Sequence, residues 1–310
     1  MRRLLLYLYF AGCIAGIPIL ATAQPTFPVN GVAEPKDGHY AFTNATIVLE
    51  NGEQLTGATM VIKNGKIIAV SKNVTIPRDA GVIDCSGKYI YPSFIDIYSD
   101  YGIDLPQSQS RRGFGLPAQL SSNLKGAQGW NEALKSDVDA YKIFSANASK
   151  AEGLRAGGFG TVLTHQKDGI ARGTGVVVSL ADEKENFTIL KERASSHYSF
   201  SRGSSGQSYP SSLMGSIALL RQTHMDAQWY KNAKDAEGVN ITLQTWNEQM
   251  DLPQFFEAND KWNAIRADRV GDEFGIQYII KGGGNEYQRI NEIKATGATF
   301  ILPLNFPDAY

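Results

Sequence analysis

The residues with chemistry to offer are few. Soft metal donors amount to four histidines (His39, His165, His197, His224) and two cysteines (Cys13, Cys85). His165 closes a strand-like run at 161–164, and a side chain at the end of a barrel strand is placed for catalysis or substrate binding. The plainer alternative is a strand-end histidine that hydrogen-bonds the next loop. Residues 167–175 (Lys-Asp-Gly-Ile-Ala-Arg-Gly-Thr-Gly) carry Lys167 and Arg172 among glycines. Backbone N–H groups in such a segment can cradle an anionic or carbonyl-bearing substrate. It is not a P-loop, because no Gly-Lys-Ser/Thr follows, and a simple strand-to-strand turn is the favoured reading. Gly282-Gly283-Gly284-Asn285, with Lys281 before it, leads into a helix near Glu286. Asn285 suits an N-cap, and glycines at a helix N-terminus permit close approach of an anion. They equally serve a bare turn.

The remaining donors read as structural. His224 shares a helical stripe with Leu213, Ile217 and Leu220, which marks a packed histidine. His39 and His197 sit in turn-rich segments and are expected on the surface. Cys85 lies in the strand-like Val82-Ile83-Asp84-Cys85 and is expected to pack. Arg111-Arg112 is too short a basic run for nucleic acid.

The elements that must position these residues fall into two patterns. Residues 24–38 are rich in Pro and Gly and read as a linker. From His39 to Tyr91 the pattern is β-rich. Asn64-Gly65 between 60–63 and 66–70 is a strong hairpin signal, since both turn residues need φ > 0. About fifty residues of antiparallel sheet need a partner surface. After Pro92, β runs at 93–99, 160–164, 176–180, 276–281 and 299–304 alternate with helical patterns at 211–231, 253–274 and 286–295. That alternation predicts a parallel sheet or barrel with helices outside. Residues 107–129 and 195–209 are long Gly/Ser-rich loops, a class that usually carries function.

Residues 1–23 read as a secretory leader. Arg2 and Arg3 precede an apolar run at 4–20, and Ala21-Thr22-Ala23 is a small-residue cleavage site. No other segment is apolar enough to span a membrane. Export to the periplasm or beyond is therefore expected. Cys13 would leave with the leader, so Cys85 has no disulfide partner. The chain has 310 residues with 30 basic against 31 acidic, and without Arg2 and Arg3 the balance is 28 against 31. A nucleic-acid footprint is excluded as the main theme, and 43% hydrophobic residues argue against disorder.

Three stretches resemble a known family. Residues 58–96 contain the Asn64-Gly65 hairpin, then Ile83-Asp84-Cys85-Ser86-Gly87-Lys88, then Pro92-Ser93-Phe94-Ile95-Asp96. In that order they resemble the opening β-sandwich and first barrel strand of the amidohydrolase superfamily, near its imidazolonepropionase-like branch. Residues 158–163 look like its second strand, and 266–287 like its fifth and sixth strand region. The resemblance implies a metal-dependent hydrolase of non-peptide C–N bonds on a (β/α)8 TIM-type barrel, with an N-terminal β-sandwich at 39–91 and the barrel at 92–310. A metal-bound hydroxide would be the attacking group.

The expected ligands are missing. The first strand of the family ends in His-x-His, two imidazoles on one face at the barrel mouth. Here those positions hold Tyr98 and Asp100. By the resemblance, the fifth-strand histidine falls at Ile265 or Arg266 and the sixth-strand one near Gly283, while Glu286, which follows it, is kept. A phenol is a poor ligand near neutral pH, and a hydrolytic zinc needs about three protein ligands. Asp100 and His165 are the remaining ligand candidates, and no metal is expected in this segment. The resemblance also places an eighth strand, its Asp and the returning sandwich strands beyond Tyr310. A longer chain is expected, with zinc or another divalent metal and an intact amidohydrolase domain in its remainder.

Two functions follow. The segment is part of an amidohydrolase whose metal site is rebuilt around Asp100 and His165 or supplied elsewhere in the chain. Alternatively it is a catalytically silent relative that binds a small molecule or supports an active domain. The substrate-binding candidates are Tyr98, Asp100, His165, Lys167, Arg172, Lys281 and Glu286. A weaker third reading is an exported sugar- or peptide-binding protein outside the family.

Overall fold

The computed structural model describes residues 38–106 and 117–304. The leader, almost all of the linker, Arg111-Arg112 and half of the 107–129 loop lie outside the described residues. The chain divides into two compact units between Pro92 and Ser93.

The first unit is a single five-stranded sheet: β1 His39–Val48, β2 Gln54–Lys63, β3 Lys66–Ser71, β4 Gly81–Asp84 and β5 Tyr89–Ile90. Asn64 and Gly65 join β2 to β3 with φ of 51° and 73°, the left-handed pair that a tight hairpin requires. Ala45, Ile47, Ala58, Met60 and Cys85 form its core, so Cys85 packs. One expectation needs correction. β4 and β5 run parallel to β1, so the unit is mixed rather than antiparallel. Its strands make one sheet among the described residues.

The second unit carries a seven-stranded sheet in chain order: β6 Phe94–Ser99, β7 Phe159–Thr164, β8 Ala171–Ser179, β9 Ile189–Ser199, β10 Gln254–Glu257, β11 Ile279–Lys281 and β12 Thr299–Ile301. The helices are α1 Ala140–Ile143, α2 Ala148–Ala156, α3 Glu185–Thr188, α4 Leu213–Glu237, α5 Ile241–Glu248, α6 Lys261–Phe274 and α7 Ile290–Ala295. All neighbouring strands pair in parallel except β8, which is antiparallel to both β7 and β9. The all-parallel expectation fails there. The strand at Thr299 is the seventh of this sheet.

Two further expectations fail locally. Residues 253–274 are not one helix: Gln254–Glu257 is a buried strand, and α6 starts only after Asp260, whose carboxylate accepts from the N–H groups of Trp262 and Asn263. The 195–209 segment is not all loop, because 195–199 complete β9.

The period of two sorts these strands. Tyr198, Phe256 and Ile280 are register partners and pack with Leu219, Leu220, Trp246 and Val270 from the helices. The intervening His197, Ser199, Phe255, Glu257 and Lys281 therefore line the opposite face. That face is concave. Tyr98 and Lys281 have four strands between them, and five spacings of about 4.8 Å would hold them about 24 Å apart in a flat sheet. Instead Lys281 Nζ lies 5.8 Å from the centroid of the Tyr98 ring. The sheet curls into a half-barrel. Among the described residues, no helix is long and apolar enough to cross a membrane.

Candidate functional site

The C-terminal ends of the parallel strands gather one polar cluster. β6 brings Tyr98, the turn after β7 brings His165 and Lys167, β10 brings Glu257 and β11 brings Lys281. β8, running the other way, starts at the same rim and delivers Arg172.

Arg172 is the hub, and it is 3% exposed. Its Nη1 donates to the Tyr98 hydroxyl at 3.0 Å, its Nη2 pairs with Glu257 Oε2 at 2.8 Å, and its Nε donates to the Gly169 carbonyl at 3.2 Å. The other carboxylate oxygen of Glu257 faces Lys281 Nζ at 3.7 Å. Lys167 Nζ reaches Asp100 at 3.5 Å and stands 5.1 Å from the Tyr98 ring centroid. Burial holds the Tyr98 phenol above its ordinary range, outweighing the Arg172 guanidinium; Glu257, hydrogen-bonded to the same hydroxyl, acts in the same direction as burial. The phenol is thus a neutral group fixed between an acid and a base.

Two imidazoles stack beneath the rim. The His165 and His197 rings are 3.6 Å apart at 6°, with Tyr98 edge-on to His165 and Phe255 stacked on His197. His197 Nε2 meets Ser195 Oγ at 2.8 Å, while both nitrogens of His165 and Nδ1 of His197 have no hydrogen-bond partner. Burial pushes both pKa values below the usual imidazole range, with Arg172 and Lys167 adding to the effect and His197 further lowering His165. Both rings are neutral.

The fold family implies a divalent metal at this mouth, and the donor set does not fit one. Among the described residues, no group of three His, Cys, Asp or Glu side chains converges on a point. Imidazole lone pairs lie in the ring plane, so two stacked rings cannot direct them at one ion. The partly buried carboxylate of Glu257 already carries a guanidinium and an ammonium, and their charge repels a further cation.

Six of the seven candidate residues from the sequence therefore meet here: Tyr98, Asp100, His165, Lys167, Arg172 and Lys281. Glu286 does not. Its buried carboxylate accepts from the N–H groups of Gly283 at 2.7 Å and Gly284 at 2.9 Å, so it fills the glycine cradle from within. Asn285 makes no N-cap bond; its side chain accepts from the Lys261 N–H. The fifth-strand ligand position was misplaced. Ile265 and Arg266 lie on α6, whereas the fifth strand of the sheet in chain order, β10, ends at Glu257. Gly283 follows β11, the sixth strand of the sheet in chain order. His197 is 1% exposed rather than on the surface. His39 is largely covered too, paired with Asp79 at 2.9 Å. His224 packs between Phe274 and Trp246, as its stripe implies. Glu257 and Ser195 escaped the sequence reading. The signal for Glu257 was a lone acid closing the apolar Phe255-Phe256 run.

Among solved structures, an amidohydrolase from Thermotoga maritima MSB8 matches with a TM-score of 0.67 at 20% identity, over 86% of this chain and 70% of that one. A prolidase complexed with N-methylphosphonate-L-proline matches at a TM-score of 0.37 and 12% identity, over 86% of this chain and 66% of the other, and adds nothing to the fold assignment. No protein-family model and no curated protein matches the chain. At this identity the likeness is one of fold. By fold, the chain stands with the amidohydrolases, as the resemblance in its sequence implied.

Proposed function

We propose that this segment is a metal-free barrel of amidohydrolase type that binds a small molecule at its mouth without hydrolysing it. Hydrolysis of non-peptide C–N bonds, with its zinc or other divalent ion, then falls to further parts of a longer protein. One observation carries the reading: the buried Arg172 joins Tyr98 to Glu257 where the fold family holds its metal. A metal centre rebuilt on Asp100 and His165 is disfavoured. Asp100 is 61% exposed and faces Lys167, whereas His165 is fully buried in a ring stack. The leader pattern of residues 1–23 supports an exported location.

Thermal unfolding with and without added zinc tests this. A native state that binds zinc is stabilised by about 2.7 kcal/mol at a hundredfold excess over Kd. The expected result is an unfolding midpoint of this segment that zinc and chelator leave unchanged. A saturable rise in zinc that chelator reverses would overturn the proposal.

A further inference from the structure

We propose that the ligand at this mouth is a small oxyanion, held between Lys167 and Lys281 beside the Tyr98 ring; the inference rests on the metal-free reading above. The mouth carries three cations, Lys167, Arg172 and Lys281, against two carboxylates, Asp100 and Glu257, a surplus of one positive charge. Arg172 is spent on internal partners, but the lysines are not. Each ammonium has three N–H donors. Lys167 meets its carboxylate at 3.5 Å and Lys281 at 3.7 Å, both longer than a good charge-assisted hydrogen bond. Their side chains are 26% and 27% exposed, open to a solute yet partly desolvated. Both ammonium groups stand within 6 Å of the same ring centroid, at 5.1 and 5.8 Å, so their separation cannot exceed the sum of those distances, and a small anion at the ring's edge is within reach of both flexible side chains. The other anion cradle suggested by the sequence is taken, because the Glu286 carboxylate already occupies the Gly283 and Gly284 N–H groups. A carboxylate and a phosphate share the required chemistry.

The test is calorimetric titration of the full-length protein with sodium acetate and, separately, with inorganic phosphate, using acetamide as the uncharged isostere. Saturable binding of either anion and none of acetamide is expected, and the tighter anion identifies the class. Lys167→Met and Lys281→Met should each weaken binding about tenfold or more, the scale of one hydrogen bond to a charged group. Thermal unfolding of each variant checks that it is folded; if Lys281→Met is not, Lys167→Met in the turn carries the comparison. No saturable uptake of either anion, or uptake unchanged by the substitutions, would overturn the inference. Metal content measured on the same sample separates the two failures. Protein with no zinc at this mouth that ignores both anions sinks only the oxyanion, whereas bound zinc that Glu257→Gln releases, and whose removal abolishes anion uptake, sinks both.

Discussion

Arg172 satisfies a phenol, a carboxylate and a backbone carbonyl at once. Removing one member of a buried pair leaves the other charge without compensation, whereas removing both is far milder. Arg172→Met should cost about 3 kcal/mol in chemical denaturation, and Arg172→Met with Glu257→Gln should recover most of it. The stacked histidines set a pH dependence. Their folded pKa values lie below the ordinary 6.5, so the unfolded chain takes up protons that the folded one refuses. Their contribution is fully present above about pH 6.5 and is lost as the pH falls below it. His224, held to about 4 by burial, adds the same slope between those values. The urea midpoint should fall steadily from pH 6.5 to 4, and His165→Phe should flatten the fall. At this scale the sequence was half legible. Lys167, Arg172 and His165 stood out because glycines and a strand end surrounded them. His197 did not, since Ser195, Ser196 and Ser199 around it mimic a loop although they belong to a strand whose concave face is polar.

At the scale of elements, β8 does the decisive positioning. Reversing direction in an otherwise parallel sheet returns the chain to the rim and sets Arg172 there. Gly173 makes this possible. Its φ is +75°, and a Cβ would run into the Val138 and Lys135 carbonyls. Gly173→Ala should therefore cost about 2 kcal/mol or more, read from the denaturation midpoint. Asp260→Ala should cost about 1 kcal/mol by uncapping α6. The Asn64-Gly65 hairpin and the long helix α4 were legible because turn chemistry and helical periodicity are local. Gln254–Glu257 was not. Four residues, three of them buried, are too few to show a period, and the helix pattern downstream absorbed them.

Over the whole molecule, curling of the sheet turns scattered residues into a site, bringing Lys281 beside Tyr98. The order Asn-Gly hairpin, Ser-Gly-Lys turn and Pro-x-Phe-Ile-Asp strand made the fold readable, and the Thermotoga amidohydrolase shares it. The cluster's membership was less readable, because the fifth strand is the short β10, which ends at Glu257, rather than a position on α6. What marks this mouth is a guanidinium–carboxylate–ammonium chain formed by Arg172, Glu257 and Lys281. The most direct measurement is elemental analysis of full-length protein purified without chelator, repeated on the Glu257→Gln variant. Far less than one equivalent of zinc or any other divalent metal bound at this mouth is expected, with no change in the variant. One tightly held equivalent that Glu257→Gln releases would contradict it.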